Sequence, residues 1–396
     1  LTHLKTYTID DIGAHEIDDA ISYEYISSNH IFWIHIACPA ISININSIIG
    51  KDALAKASTI YMVDKTEYMF PPLLIKNNLS LLSGQNRIVL SLKIELDEKL
   101  IIRKYSFHKA IISPRYALSY EDADEILDYQ PREESELIAI ERITKQHSLE
   151  RHNNGAITIS EPEGHISKID NKYIFSQRSR TQARNLVSES MIIYGEFVAK
   201  YCKERNIPVP YRNQSITNKS KFNQVMEGSN LHINNFQLRN SLPKTTIDMK
   251  AMGHNSLGLE GYVQATSPLR RYLDYLTQCQ LIRHINNEDL LDIEFIASRI
   301  NSFNKKHREN IIIFRNDKRR SLLHWLKHNN QTYWNVIFMQ WLNKKKSIAL
   351  IYFCDLSVDM TCQLDLVEGA ELGNKFKIYI EFINTELEIL RTRLYC

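Results

Sequence analysis

With 396 residues, 43% of them apolar and 24% charged, and a formal net charge of +3, the chain has the make-up of an ordinary globular protein with room for two or more domains. The charge is too mild to make the whole surface attract polyanions, so any nucleic-acid contact must come from where the basic residues sit. No apolar run reaches the ~20 residues that span a bilayer, and no charged-then-apolar leader opens the sequence, so a cytoplasmic, membrane-free monomer is expected. Six scattered cysteines (Cys38, Cys202, Cys279, Cys354, Cys362, Cys396) include no Cys-x-x-Cys pair and read as reduced thiols, not a disulfide frame or zinc site.

The chain opens on Leu1 and runs directly into chemistry, so an upstream region is expected. A β-like run at residues 6–9 ends on Asp10, and Gly13 and Ala14 permit a tight loop before a second apolar stretch. Asp10, Asp11, Glu16, Asp18 and Asp19 fall within ten residues, with His15 the only cation-capable side chain among them. In an extended segment Glu16 and Asp18 share a face. A loop returning past Asp10 then gathers the acids around one point, where they repel one another and take up protons. An oxygen-preferring dication, Mg²⁺ or Mn²⁺, relieves that repulsion. The plain alternative is a solvated acidic loop, but the framing by two apolar segments favours the ion. The pattern lacks the alternating ladder of a calcium hand.

Further β-like runs follow at 31–37, 88–94 and 100–107. From 120 to about 151 the pattern is helical and acidic, which reads as a solvated helix face. An amphipathic helix is expected over 181–205, with Glu189 on its otherwise buried stripe. A polar stretch at 213–246 precedes a second helical region over 268–327, broken near Asn286. Within the latter, Ser267 suits an N-cap and Pro268 a first helical turn, so the helix start offers free N–H groups to a phosphate. Arg270 adds a planar fork; the alternative is a surface pair with Asp274. After Asn329-Asn330 come five short β-like runs within about sixty residues, with a turn at Gly373-Asn374, which suggests a small oligonucleotide-binding barrel. Tyr333, Trp334, Phe338, Trp341, Tyr352 and Phe353, with Lys344 to Lys346, would give it stacking surfaces and charge, some of the rings serving as core.

The acidic segment resembles the signature of the ribonuclease II / ribonuclease R (RNB) family of 3′→5′ exoribonucleases, in its organellar and cyanobacterial-like branch. The match continues through Gly50 to Ala55 with Tyr61 and Met69-Phe70-Pro71, Leu118-Ser119-Tyr120, Leu186 to Met191, and Leu257 to Glu260 leading into Ala265 to Tyr272. The resemblance implies an α+β fold: an RNB-type catalytic domain, a mixed sheet wrapped by long helices, at 1–329, followed by an S1/OB-like barrel at 330–396. It implies a metal-dependent, processive exoribonuclease that hydrolyses single-stranded RNA to nucleoside 5′-monophosphates. Asp10 and Asp19 would hold Mg²⁺ (or Mn²⁺) directly, with Glu16 and Asp18 as further ligands and Asp18 indispensable for cleavage. Arg270 would clamp the phosphate, with Arg271 beside it. Tyr61 and Tyr120 would stack on or brace terminal bases, and Glu189 would contact ribose hydroxyls, which is how such a site prefers RNA.

Several residues depart from the family pattern. Glu16 replaces a customary Asp and reaches one methylene further, Cys38 replaces another Asp, and Ile159 stands where ribonuclease II has a base-sandwiching aromatic. A late active-site glutamate finds no counterpart near 314–322, where Asn316 and Lys318 lie. The alternatives are an RNA-binding protein that keeps the channel without cutting, and a metal-dependent phosphatase or DNA nuclease.

Overall fold

The computed structural model describes residues 1–159, 162–215, 231–329, 331–365 and 369–395. Part of the polar stretch at 213–246, residue 366 of the third expected barrel run, and Cys396 lie outside the described residues.

The first layer comes from runs that alternate between two faces. Strands β1 (Thr6–Asp10), β2 (Asp19–Ile26) and β3 (Asn29–Ala37) lead through helix α1 (Ile48–Lys56) and a short hairpin, β4 (Ile60–Tyr61) and β5 (Thr66–Glu67). Strands β6 (Arg87–Leu96), β7 (Ile102–Ile112) and β8 (Tyr116–Ser119) follow. The result is a six-stranded mixed sheet in the order β7-β6-β3-β2-β1-β8, with β1 and β8 parallel and the other pairs antiparallel.

The helical acidic stretch is two helices, because Gln130 turns left-handed (φ 49°) just ahead of Pro131. Helix α2 (Tyr120–Tyr129) starts on a reciprocal cap between Ser119 and Asp122, and α3 (Ser135–Asn153) follows the break. A hairpin of β9 (Glu163–Ile169) and β10 (Lys172–Arg178) turns at Asp170 and Asn171, both with positive φ. Helix α4 (Gln182–Glu204) fills the expected span, capped by Thr181, whose side chain accepts from the Arg184 N–H. Then come β11 (Tyr211–Asn213), α5 (Leu231–Ser241), β12 (Thr246–Asp248), α6 (Tyr272–Ile285) and the 36-residue α7 (Ile293–His328). No described helix is long and apolar enough to cross a membrane.

Two clusters make the core around the sheet. Tyr7, Phe32, Ile34 and Leu92 pack against Leu137 and Ile140 of α3 and Leu186, Tyr194 and Val198 of α4. Ala37, Val89 and Ile112 pack with Met69 and Phe70 against Tyr272, Tyr275 and Leu276 of α6.

Strands β13 (Trp334–Asn343), β14 (Ile348–Phe353), β15 (Val358–Asp365), β16 (Lys375–Asn384) and β17 (Ile389–Leu394) close into a barrel in the order β13-β14-β15-β17-β16. Its aromatics are mostly core. Trp334, Phe338, Tyr352 and Phe353 are buried, so only Tyr333 and Trp341 of the six keep partly open rings, while Lys344, Lys345 and Lys346 are exposed.

Candidate active site

Asp10 closes β1 and Asp19 opens β2, so the loop between two hydrogen-bonded strands sets the acids at their mouth. Gly13 makes the tight turn possible with φ +81°, a conformation open to glycine at little cost. Asp11 is spoken for: Arg184 reaches it at 2.7 Å and Arg178 at 3.0 Å.

Asp18 is buried and held at both oxygens. Its two oxygens accept from the Leu269 N–H and from Arg270 Nε, each at 2.9 Å. Burial nevertheless raises its carboxyl to about 6 against the pull of Arg270. Glu16, also buried, is held by hydroxyls: Tyr61 donates to Oε2 at 2.5 Å and Thr59 to Oε1 at 3.2 Å. Burial, with Asp18 adding to it, pushes Glu16 up to about 7. Asp19 rises to about 7 through burial and the charges of Asp18 and Asp10, and burial raises Asp10 as well. Among the described residues, no three His, Cys, Asp or Glu side chains converge to ion-holding distance. The expected four-acid cradle is therefore divided, with Asp18 turned to Arg270 and Glu16 to its hydroxyls. The donor set still fits a hard dication. It is all oxygen, crowded enough that burial and mutual repulsion hold protons on, and Asp10 and Asp19 are only partly buried.

The 267–271 segment corrects an expectation. The helix begins at Tyr272 and not at Ser267; residues 267–270 form a turn in which the Arg270 and Arg271 N–H groups donate to the Ser267 carbonyl at 3.2 and 2.9 Å. Its free N–H at Leu269 serves Asp18 and is not left for a phosphate. The arginine on Asp274 is Arg271, at 2.6 Å, so Arg270 is not tied up in that surface pair. Arg270 spends Nε on Asp18, and its side chain is 41% exposed on the cavity.

Asp10, Glu16, Tyr61 and Arg270 open on one cavity of about 570 Å³. Tyr61 is 43% exposed there. Tyr120 sits beside the acids, but the Arg184 guanidinium covers its ring at 3.9 Å, so one stacking face is already taken. Glu189 is 5% exposed and locked: Arg151 grips both its oxygens at 2.7 and 2.5 Å, and His147 meets it at 2.6 Å. In this arrangement its hydrogen-bonding capacity goes to the protein's interior and not to a ribose. Burial pulls His147 down, yet Glu189 and Glu196 outweigh it and hold the imidazole up at about 9.

Other residues of this cavity were not singled out from sequence: His165 and Arg178 on the β9–β10 hairpin, and Asp317 on α7, which stands there with Phe314 and Lys318. The alternating run at 163–178 with its Asp170-Asn171 turn was the signal for the hairpin. Asp317 places a carboxylate on the wall where no late acid was located, and that carboxylate accepts from the Val63 N–H at 2.7 Å. Ile159 lines a neighbouring cavity of about 600 Å³ with Arg315 and Arg319; the two cavities share Glu163 and Lys318.

A mixed sheet wrapped by helices, a carboxylate cluster whose Asp18 is clasped by Arg270, and a closed five-stranded barrel define a particular class of chain. A family model described as "RNB domain" matches residues 1–287, and the chain belongs to that family. It is 32% identical over 368 residues to an uncharacterized ribonuclease of Synechocystis sp., covering 92% of this chain and 55% of the relative. It is 28% identical over 410 residues to the chloroplastic/mitochondrial ribonuclease II of Arabidopsis thaliana, covering 96% and 48%. The chain thus spans about half the length of these relatives. The apo form of Mycoplasma genitalium RNase R superposes with a TM-score of 0.89 at 19% identity, over 100% of this chain and 71% of that one. The same protein is also solved with ribose-methylated single-stranded RNA, with a TM-score of 0.88.

Proposed function

We propose that the chain is the hydrolytic part of a divalent-metal-dependent 3′→5′ exoribonuclease that shortens single-stranded RNA and releases nucleoside 5′-monophosphates. The observation that carries this reading is the Asp18–Arg270 clasp on the wall of a cavity that Asp10, Glu16 and Tyr61 also line. Membership of the RNB family supports it, as does the RNA-bound relative.

Asp10, Glu16, Asp18 and Asp19 would hold the ions, Mg²⁺ or Mn²⁺. When bound, the ions neutralise phosphoryl charge and lower the pKa of water. Arg270 supplies the fixed positive edge: Asp18 pins its Nε, and the side chain lines the cavity, where a two-point contact by its outer nitrogens would orient the scissile phosphate. The Tyr61 ring offers a face for the terminal base, and stacking of that kind is indifferent to sequence.

The test compares a labelled RNA with its DNA counterpart, in Mg²⁺ and in chelator, for wild-type protein and Asp18→Asn. Wild type should release mononucleotides from RNA only, and only with metal. Asparagine has one neutral oxygen for two donors: kept on the Leu269 N–H, it turns an N–H₂ toward Arg270, so turnover should fall roughly a hundredfold or more while RNA affinity stays near wild type. RNA binding without release of any nucleotide would favour the channel-keeping, non-cutting alternative. Equal cleavage of DNA would favour the general nuclease.

A further inference from the structure

We propose that Thr59 and Tyr61 act as positioning residues for Glu16, a pair of hydroxyl donors that hold its two carboxylate oxygens in ligating orientation before an ion arrives. This rests on the reading of Glu16 as an ion ligand given above, and deepens it.

The hydrogen-bond directions are fixed by the surroundings. The Met69 N–H donates to Thr59 Oγ1 at 3.0 Å, which occupies that oxygen's acceptor side and leaves its proton to point at Glu16 Oε1. The Tyr61 hydroxyl meets Glu16 Oε2 at 2.5 Å, and a carboxylate oxygen only accepts, so Tyr61 is the donor. Each Glu16 oxygen thus receives a different donor and the carboxylate plane cannot rotate freely. Neither donor carries charge, so Glu16 is held without a cationic side chain pairing with it, whereas Asp18 is paired with Arg270.

The donors are tied to the same backbone as the arginine. The Thr59 N–H donates to the Arg270 carbonyl at 3.1 Å, Ser58 bridges Arg271, and the Tyr272 N–H donates to the Ala57 carbonyl at 2.9 Å. A movement of the 267–271 turn therefore moves Thr59, and through it Glu16. Tyr61 gives its hydroxyl to Glu16 and keeps its ring on the cavity. One side chain so serves the ion ligand with one end and the strand's terminal base with the other. Second partners of this kind typically govern ion affinity or activity by 10–100-fold.

The experiment titrates Mn²⁺ into wild type, Tyr61→Phe, Thr59→Val and Thr59→Ser, with unbound Mn²⁺ followed by electron paramagnetic resonance. RNA affinity is measured separately in chelator, and kcat and KM in excess Mn²⁺. Tyr61→Phe removes only the oxygen and keeps the ring, so Mn²⁺ affinity and kcat should both fall roughly 10-fold or more, with RNA affinity and KM unchanged. Thr59→Val should shift Mn²⁺ binding in the same direction, and Thr59→Ser should restore it. Wild-type Mn²⁺ affinity in both Tyr61→Phe and Thr59→Val overturns the proposal, as does a loss in Tyr61→Phe confined to RNA affinity. A wild-type protein that binds no Mn²⁺ overturns the underlying reading, and this inference with it; a normal Mn²⁺ response of the wild type keeps the two failures apart.

Discussion

Glu189 shows how a single side chain can look available in sequence and be fully committed in space. Its stripe of apolar neighbours fits either a buried partner or a wall of a cavity, and the deciding residues, His147 and Arg151, lie on a different helix. His147 is wedged between two carboxylates, so its folded pKa of about 9 stands above its ordinary value of 6.5. The extra stability is fully present below pH 6.5 and is lost as pH rises through about 9. At pH 6, His147→Gln should cost roughly 2–4 kcal/mol. The gap between the unfolding temperatures of wild type and variant should narrow steadily to pH 10; a gap that does not change with pH would deny the charged imidazole. The acid loop, by contrast, was legible because its residues are neighbours in the chain. What they bond to was not, since Leu269 lies 251 residues from Asp18.

Among elements, helices and barrel strands followed their periodicities closely, because each is decided by local pattern and caps. The turn at 267–271 did not. Ser267 and Pro268 are good starters of a helix, but pairing of the Thr59 and Ala57 backbone with Arg270 and Tyr272 holds that stretch open for one further turn. Upstream, Gly258 ends a short turn with φ +66°, and any Cβ there would collide with the Arg151 carbonyl. That contact joins the loop before the arginine turn to α3, and Arg151 Nη1 also reaches the Leu257 carbonyl at 2.7 Å. Gly258→Ala should therefore destabilise the protein by about 2–3 kcal/mol, read by denaturant unfolding. An effect under half of that would mean the loop relaxes freely. The barrel's rings teach the complementary lesson: alternation located the strands, but which rings fill a five-stranded interior depends on closure, and Trp334, Phe338 and Phe353 went inward while Tyr352 was buried outside against Phe236.

At the scale of the molecule, the β9–β10 hairpin is the joint between parts. Tyr173 stacks on His324 and Phe175 packs on Trp325 of α7, while the Gly164 N–H donates to Ser357 in the barrel at 3.2 Å. Its other face turns to the acids, with Arg178 on Asp11 at 3.0 Å, while Lys168, beside Tyr173, reaches Asp64 at 3.0 Å. Gly164 has no room for a side chain, since a Cβ would strike Val358 and the Leu356 carbonyl. Gly164→Leu should pry hairpin from barrel, lower the unfolding temperature by several degrees for a loss of about 1–3 kcal/mol, and weaken RNA binding measured in chelator. Unchanged RNA binding in a destabilised variant would confine the joint's role to stability.

The clasp between Asp18 and the Leu269–Arg270 turn has a consequence for the chain as it is made. When residues 1–250 have been made, every acid of the loop is present, while the two groups that hold Asp18, the Leu269 N–H and Arg270, are still to come. On the proposed reading, the site is therefore incomplete during synthesis until the later third arrives and takes hold of Asp18. A proteolytic clip between the two blocks that lets the halves separate would undo the clasp in the same way.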